Sequence, residues 1–376
     1  MRSLAAALLI ALTAAPSLAQ RDPGVALLEQ AGWNALSAGR AHEAADAFRQ
    51  AIAADPDNPR LYLGAATAAI LERRDADARD ALEHALTLNP EEGDAAYLLG
   101  QVLHRLGDLP GAIRTYEGLA RLTRQPSTRL GPIPGISTGD APTATMLDDD
   151  LARWRRELTL ANRMQEAVGA HFTVSFNGPE DRALADRALA SLDRAYWRIG
   201  SVLSTYPNEP IAVVLYTREQ FRDITRSPRW AAGAYDGTIR VPMRGALGDP
   251  RELDRVVAHE FTHALVRTLA PRRIPTWLNE GLATALESND LSWADQHVSA
   301  GAVPLSVLAG PFGRFGPGQA QVAYAVSALA VRRLLDRQGG FAVANLLRDL
   351  GAGEDFETAF ARRMQLTFAD FQASLR

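Results

Sequence analysis

The run Asp249-Pro250-Arg251-Glu252-Leu253-Asp254-Arg255-Val256-Val257-Ala258-His259-Glu260-Phe261-Thr262-His263-Ala264-Leu265-Val266 decides how the second half of this chain is read. Asp249 suits an N-cap, Pro250 the first helical position, and Glu252 completes a capping box. Leu253, Val256, Val257, Phe261, Leu265 and Val266 recur at helical spacing, and the helix should stop before Pro271. On such a helix His259 and His263 lie one turn apart on a shared face. Two imidazoles so placed can hold one metal ion. Glu260 sits about 100° round the helix from His259, where its carboxylate reaches a water on the metal rather than the metal itself.

The chain has no cysteine, so any metal must be held by His, Asp or Glu, and thiol nucleophiles and disulfides are excluded. A catalytic zinc takes three protein ligands and keeps one position open. Downstream stands Pro275-Thr276-Trp277-Leu278-Asn279-Glu280-Gly281-Leu282-Ala283, with Pro275 and Thr276 fitting a helix start. Together with His-Glu-x-x-His, this segment resembles the gluzincin metallopeptidases, and in particular the bacterial peptidase MA-like domains that often accompany tetratricopeptide repeats. The resemblance spans roughly residues 170–376. It implies an α+β zincin-like fold, Zn2+ as cofactor, Glu280 as third ligand and peptide-bond hydrolysis. In that reading zinc lowers the pKa of its water to about 7, and Glu260 is the general base that later hands the proton to the leaving amine. A metzincin would carry a third His soon after His263, and none is there. Thermolysin-like enzymes place a carboxylate one turn after the ligand Glu, where this chain has Thr284. The group orienting a metal-bound His is then left among Glu287, Asp254, a backbone carbonyl or water.

An oxyanion donor is needed beside the metal. The resemblance points to Tyr324, on a helix expected over Gln319–Gln338; the alternative is a tyrosine packed in the core. Tyr235 either lines the cleft or packs on the sheet, and Gly233–Pro242 stands where the superfamily has a substrate-binding edge strand. His297 is either a second donor or a surface histidine. The Gly/Pro-rich stretch Gly310–Gly318 is either a lid or an ordinary connection.

Residues 25–124 repeat with a period of 34: Gly32, Ala66 and Gly100; Ala44, Ala78 and Ala112; Phe48, Leu82 and Tyr116. Small residues let paired helices approach, the large apolar residue fills the groove beside them, and Pro56 and Pro90 close the first two units. This resembles the tetratricopeptide repeat. Such stacks form concave surfaces that dock a protein or peptide, or act as spacers. His42, His84 and His104 show no ligand spacing to one another and are expected to be surface or satisfied helix histidines.

The domains expected are a signal peptide over 1–19, an all-α repeat domain over 20–124, a linker and connecting helix over 125–169, and the α+β domain over 170–376. In the linker, Pro126, Pro132, Pro134 and Pro142 block regular structure. A charged amphipathic helix should follow from about Asp148 to Val168. Beyond it the pattern predicts strands at His171–Phe176, Ile211–Tyr216 and Tyr235–Val241, the last with a turn at Asp236-Gly237. Helices are expected at Pro179–Leu203, at Thr217–Thr225 and through most of the chain after Pro250.

Arg2, the apolar run Leu4–Ala15, and Ser17 and Ala19 before Gln20 form an export signal with its cleavage site. The run is too short to span a bilayer comfortably, so a periplasmic or secreted protein without a membrane anchor is expected. Every basic residue is Arg, and the net charge of −4 disfavours nucleic acid as a partner. The reading is thus an exported zinc endopeptidase whose repeats recruit substrate or a partner. The competing reading is a repeat adaptor carrying an inactive zincin-like domain. A purely structural metal is disfavoured by Glu260, since closed sites need no neighbouring base.

Overall fold

A computed structural model of the chain describes residues 22–124, 130–136, 142–225, 234–235, 237–242, 250–271, 274–298 and 303–375. The export signal, the Asp249 cap and Asp236 lie outside the described residues. Among those described, no helix is long and apolar enough to cross a membrane.

Six helices form three antiparallel pairs: α1 (Pro23–Ser37) with α2 (Ala41–Ala54), α3 (Pro59–Leu71) with α4 (Asp75–Leu88), and α5 (Gly93–Arg105) with α6 (Leu109–Thr123). The repeat residues make the contacts their sizes dictate. A Cβ on Gly32 would lie 2.6 Å from the Phe48 ring, and one on Gly100 would lie 2.3 Å from the Tyr116 ring. Ala44, Ala78 and Ala112 are fully buried beneath them. Helix α7 (Ala144–Ala161) closes the stack. Its buried Trp154 stacks on His104 at 5.0 Å and lies 4.5 Å from Tyr116, giving the last pair the apolar cover that a terminal repeat needs.

Two expectations around this junction change. The amphipathic helix stops at Ala161 rather than Val168, because the chain turns at Asn162–Met164 and Gln165–Val168 alternates as a strand with only Ala167 buried. The proline-rich segment has no helix or strand among its described residues, as expected, but is not free of the repeats. Ile133 is buried, with Leu130 and Ile136 packed beside it. Gly131 donates its N–H to Asp94 at 3.0 Å, and Gly135, at φ 82°, passes close to Leu36 and Leu71. The segment therefore lies across the first helices of all three repeats.

The second half holds a five-stranded sheet in the order β1-β2-β3-β5-β4. The strands are β1 (Gln165–Val168), β2 (Phe172–Phe176), β3 (Ile211–Tyr216), β4 (Ala234–Tyr235) and β5 (Ile239–Pro242). β2, β3 and β5 run parallel, while β1 and β4 flank them antiparallel. The turn expected within Tyr235–Val241 divides that run into a hairpin, where Gly237 takes φ 122° and β4 returns antiparallel to β5. Helices α8 (Arg182–Leu203), α9 (Arg218–Thr225), α10 (Pro250–Leu269), α11 (Thr276–Glu287), α12 (Ser292–Val298), α13 (Pro317–Gly351), α14 (Phe356–Met364) and α15 (Phe368–Ala373) complete it. α13 is interrupted at Gly339, φ 75°, so the helix expected over 319–338 is its first half. One continuous core joins the sheet to α8, α10, α11 and α13. Phe261, buried from α10, packs edge-on against Phe172 of β2 at 5.5 Å.

The halves meet through charges. Glu157 of α7 is bonded to His104 of α5 at 2.9 Å and accepts from Arg240 of β5 at 2.8 Å. Asp75 of α4 accepts from Arg105 at 2.7 Å and faces Arg267 of α10 at 3.6 Å.

Candidate active site

Helix α10 presents His259 and His263 on one face, as the spacing requires, with Phe261 turned into the core. Helix α11 packs beside it and brings Glu280 opposite. The Glu280 carboxylate oxygen lies 3.7 Å from His259 Nε2 and 3.6 Å from His263 Nε2. One donor atom from each of the three residues falls within a 4.8 Å span.

What aims these atoms is the outer nitrogen of each ring. His259 Nδ1 meets Glu287 Oε2 at 2.6 Å, and His263 Nδ1 meets Asn279 Oδ1 at 3.1 Å. With Nδ1–H donating outward, each Nε2 is aimed at Glu280, where it can take a proton or a cation. The pairing follows from the antiparallel course of the two helices. The end of α11 lies beside the start of the motif, and its beginning beside the end. Glu287 follows Glu280 by seven residues, almost two full turns, and so returns to the same face. It is anchored in turn by Arg255 at 2.8 Å. Thr284, one turn after Glu280, is buried with its hydroxyl unbonded and takes no part. Asp254 is elsewhere, accepting from Ser191 at 2.5 Å and Arg194 at 2.7 Å. Of the partners left open by the sequence, Glu287 is the one in place. Asn279 was legible only as the residue before Glu280.

Burial and charge set the titration of the cluster. Burial works against protonating His259, but Glu280 and Glu287 outweigh it and push that imidazole up to about 10. His263 is likewise raised by Glu280 against its burial. Glu280 and Glu287 are held low by the facing imidazoles despite their own burial. Two neutral rings and a carboxylate that together attract positive charge this strongly form a donor set suited to a divalent cation, for which protons compete. Glu260, buried, is raised, chiefly by desolvation.

Tyr324 joins the site from α13. Its phenol is driven strongly upward by burial, then by the Glu280 and Glu260 charges and its hydrogen bond to Glu280, so it stays a donor. Two contacts put it there. Phe312, from the Gly/Pro-rich stretch, packs edge-on against its ring at 5.2 Å. Gly281 lets α11 press on α13, since a Cβ there would lie 2.5 Å from the Ser327 carbonyl. The stretch at 310–318 thus buttresses Tyr324 through buried Phe312. Tyr235, on edge strand β4, also lines the cleft, with the Arg267 guanidinium 5.7 Å from its ring. His297 does not reach it; its Nδ1 bonds the Trp293 carbonyl at 2.7 Å on the surface. The cleft has a volume of about 500 Å³. One wall residue comes from the repeats: Arg73, at the turn between α3 and α4.

Among known families, the tetratricopeptide repeat matches residues 35–83 and residues 73–126. The N-terminal helices are therefore tetratricopeptide repeats, an architecture that commonly binds protein partners. Solved structures are similar to part of the chain. The first TPR of Spaghetti (RPAP3) bound to HSP90 peptide SRMEEVD is 21% identical, covering 36% of this chain and 96% of its own, at a TM-score of 0.30. The Sgt2 TPR domain from Aspergillus fumigatus is 22% identical, covering 40% and 93%, at 0.31. A T3SS complex from Aeromonas hydrophila is 18% identical, covering 36% and 83%, at 0.31. No curated protein matches the chain. The family matches end at residue 126, so the second half is read from its own geometry.

Proposed function

We propose that this chain is an exported zinc-dependent endopeptidase of the gluzincin type. The observation that carries the reading is the convergence of His259 Nε2, His263 Nε2 and Glu280 on one point, each imidazole oriented from behind by Glu287 or Asn279. His259, His263 and Glu280 would hold the metal. When bound, zinc polarises a substrate carbonyl and acidifies water. Glu260, from the same helix, takes the proton of the attacking water at its carboxylate and returns it to the departing amine nitrogen. Tyr324 donates its phenolic hydrogen toward the oxygen that becomes negative. β4 stands at the edge of the sheet, where an extended peptide would add as a further strand, with Tyr235 beside it.

The adaptor reading rests on the repeats. Against it, residues 130–136 already lie over their first helices, so a partner would have to displace the chain's own segment or use another face. The deciding experiment measures zinc content and peptide hydrolysis for wild type and Glu260→Gln. Stoichiometric zinc in both, with turnover lowered about 10²–10⁴-fold in the variant, is expected. No zinc in either, or unchanged hydrolysis, overturns the peptidase assignment.

A further inference from the structure

Each repeat turns from its first helix to its second through one residue in the left-handed region. These residues are Gly39 at φ 72°, Arg73 at φ 54° and Gly107 at φ 82°, spaced by the repeat period. The turns share their hydrogen bonds. The left-handed residue's N–H reaches back three residues, and the next N–H reaches back five, as in Arg40 to Ala35, Arg74 to Ala69 and Asp108 to Leu103. Such a C′ position belongs to glycine, and a side chain there is strained. The second repeat alone replaces the glycine, and the replacement is a wall residue of the cleft that holds His259, His263 and Glu280.

The surroundings of Arg73 say what it is for. Arg105 and Arg267 stand near enough that their charges, after burial, depress its own ionisation, and Asp75 is the acidic group beside them. Asp75 is already taken, by Arg105 at 2.7 Å and Arg267 at 3.6 Å. Three guanidinium groups thus share one carboxylate, and among the described residues Arg73 forms no ion pair. Arg267 lies on α10 one turn past His263, about 6 Å along the helix axis. The cluster is therefore within about two or three residues' reach of the bond to be cut in an extended substrate.

We infer that Arg73, with Arg267, forms a subsite for a substrate carboxylate, so that the second tetratricopeptide repeat sets the specificity of the cleft. The carboxylate is either the terminus of the bound peptide or an Asp or Glu side chain; guanidinium recognition is common to both. The inference rests on the peptidase reading for the cleft's use, but not for the binding itself.

The test uses the full chain and one peptide library in four forms, with free or amidated C-termini and with Asp and Glu kept or replaced by Asn and Gln. Cleavage products are read by mass spectrometry. Binding is read separately, by fluorescence anisotropy on Glu260→Gln. Wild type should prefer the carboxylate-bearing forms, the free-terminus arm or the acidic arm showing which source is used. Arg73→Gly should weaken those forms about tenfold or more and leave neutral peptides unaffected. It should also hold or raise the melting temperature, because glycine relieves the turn; a purely structural Arg73 would move stability and not the charge preference. Arg73→Glu should reverse the preference. An anionic-to-neutral ratio that is the same in wild type and both variants overturns the subsite. If no peptide is cleaved, the peptidase reading fails, and the anisotropy ratios still decide the subsite.

Discussion

Replacing Glu157 by Gln removes one negative charge and little volume from the junction of the two halves. Glu157 is 5% exposed, and its partners come from both sides: His104 from the repeats, Arg240 from the central sheet. Burial alone would raise its pKa, but the His104 hydrogen bond and the Arg240 charge outweigh it and hold the carboxyl at about 2. A fall from the ordinary 4.5 to about 2 is worth about 3 kcal/mol, at the lower edge of the roughly 3–5 kcal/mol typical for breaking a buried pair. The group's folded pKa is depressed. Its stabilisation is therefore complete above the unfolded value near 4.5, declines as pH falls below it, and is gone below about 2. Urea unfolding of wild type and Glu157→Gln, followed by tryptophan fluorescence at pH 7 and again near pH 2, reads both points. A loss of about 3 kcal/mol at pH 7 that closes near pH 2 is expected. A loss under about 1 kcal/mol at pH 7, as for an exposed pair, or one independent of pH, would refute the reasoning that this carboxylate ties the repeats to the sheet.

Glu287→Ala should weaken zinc binding about 10–100-fold, read by competition with a chromophoric chelator, because His259 loses the group that fixes its ring; an unchanged affinity would leave the orienting role without support. Gly281→Ala should cost about 1–3 kcal/mol through the collision with the Ser327 carbonyl, and also reduce metal affinity, since Glu280 is the adjacent residue; a melting temperature equal to wild type would mean that α11 and α13 do not meet as tightly as described.

The repeats were legible because their signal is periodic. Gly32, Phe48, Gly100 and Tyr116 mark positions where size alone decides the contact, and the contacts follow. The motif helix was equally legible, since His259, His263 and Phe261 need only the helical turn to sort them into site and core. Strand ends were less so. Gln165–Val168 follows a polar helix without a proline or glycine to announce the change, whereas Gly237 marks the reversal within Tyr235–Val241. The support of the site was hardest to read. Sequence spacing permitted Glu287, Asp254 or no side chain behind His259, and the choice depends on α10 and α11 being antiparallel, which no local pattern states. Tyr324 depends further on the approach at Gly281 and on Phe312, both tertiary.

Arg73 is a different case, because its signal lay in the sequence and was of the kind that periodic reading suppresses. A repeat is recognised by what recurs, whereas Arg73 matters for failing to recur. Gly39 and Gly107 state the backbone requirement of the turn, and an arginine meeting the same requirement carries a conformational cost that the turn itself does not need. Such a cost persists where something else holds the residue in place or uses it. The structure puts this residue at the cleft, beside two other guanidinium groups and an already engaged Asp75. On the proposed reading, the repeats contribute to substrate choice without needing a free docking groove. They close the cleft, and Glu157, at the junction, helps keep them there. Weakening that junction should therefore disturb substrate choice before it disturbs His259, His263 and Glu280, which α10 and α11 hold between themselves.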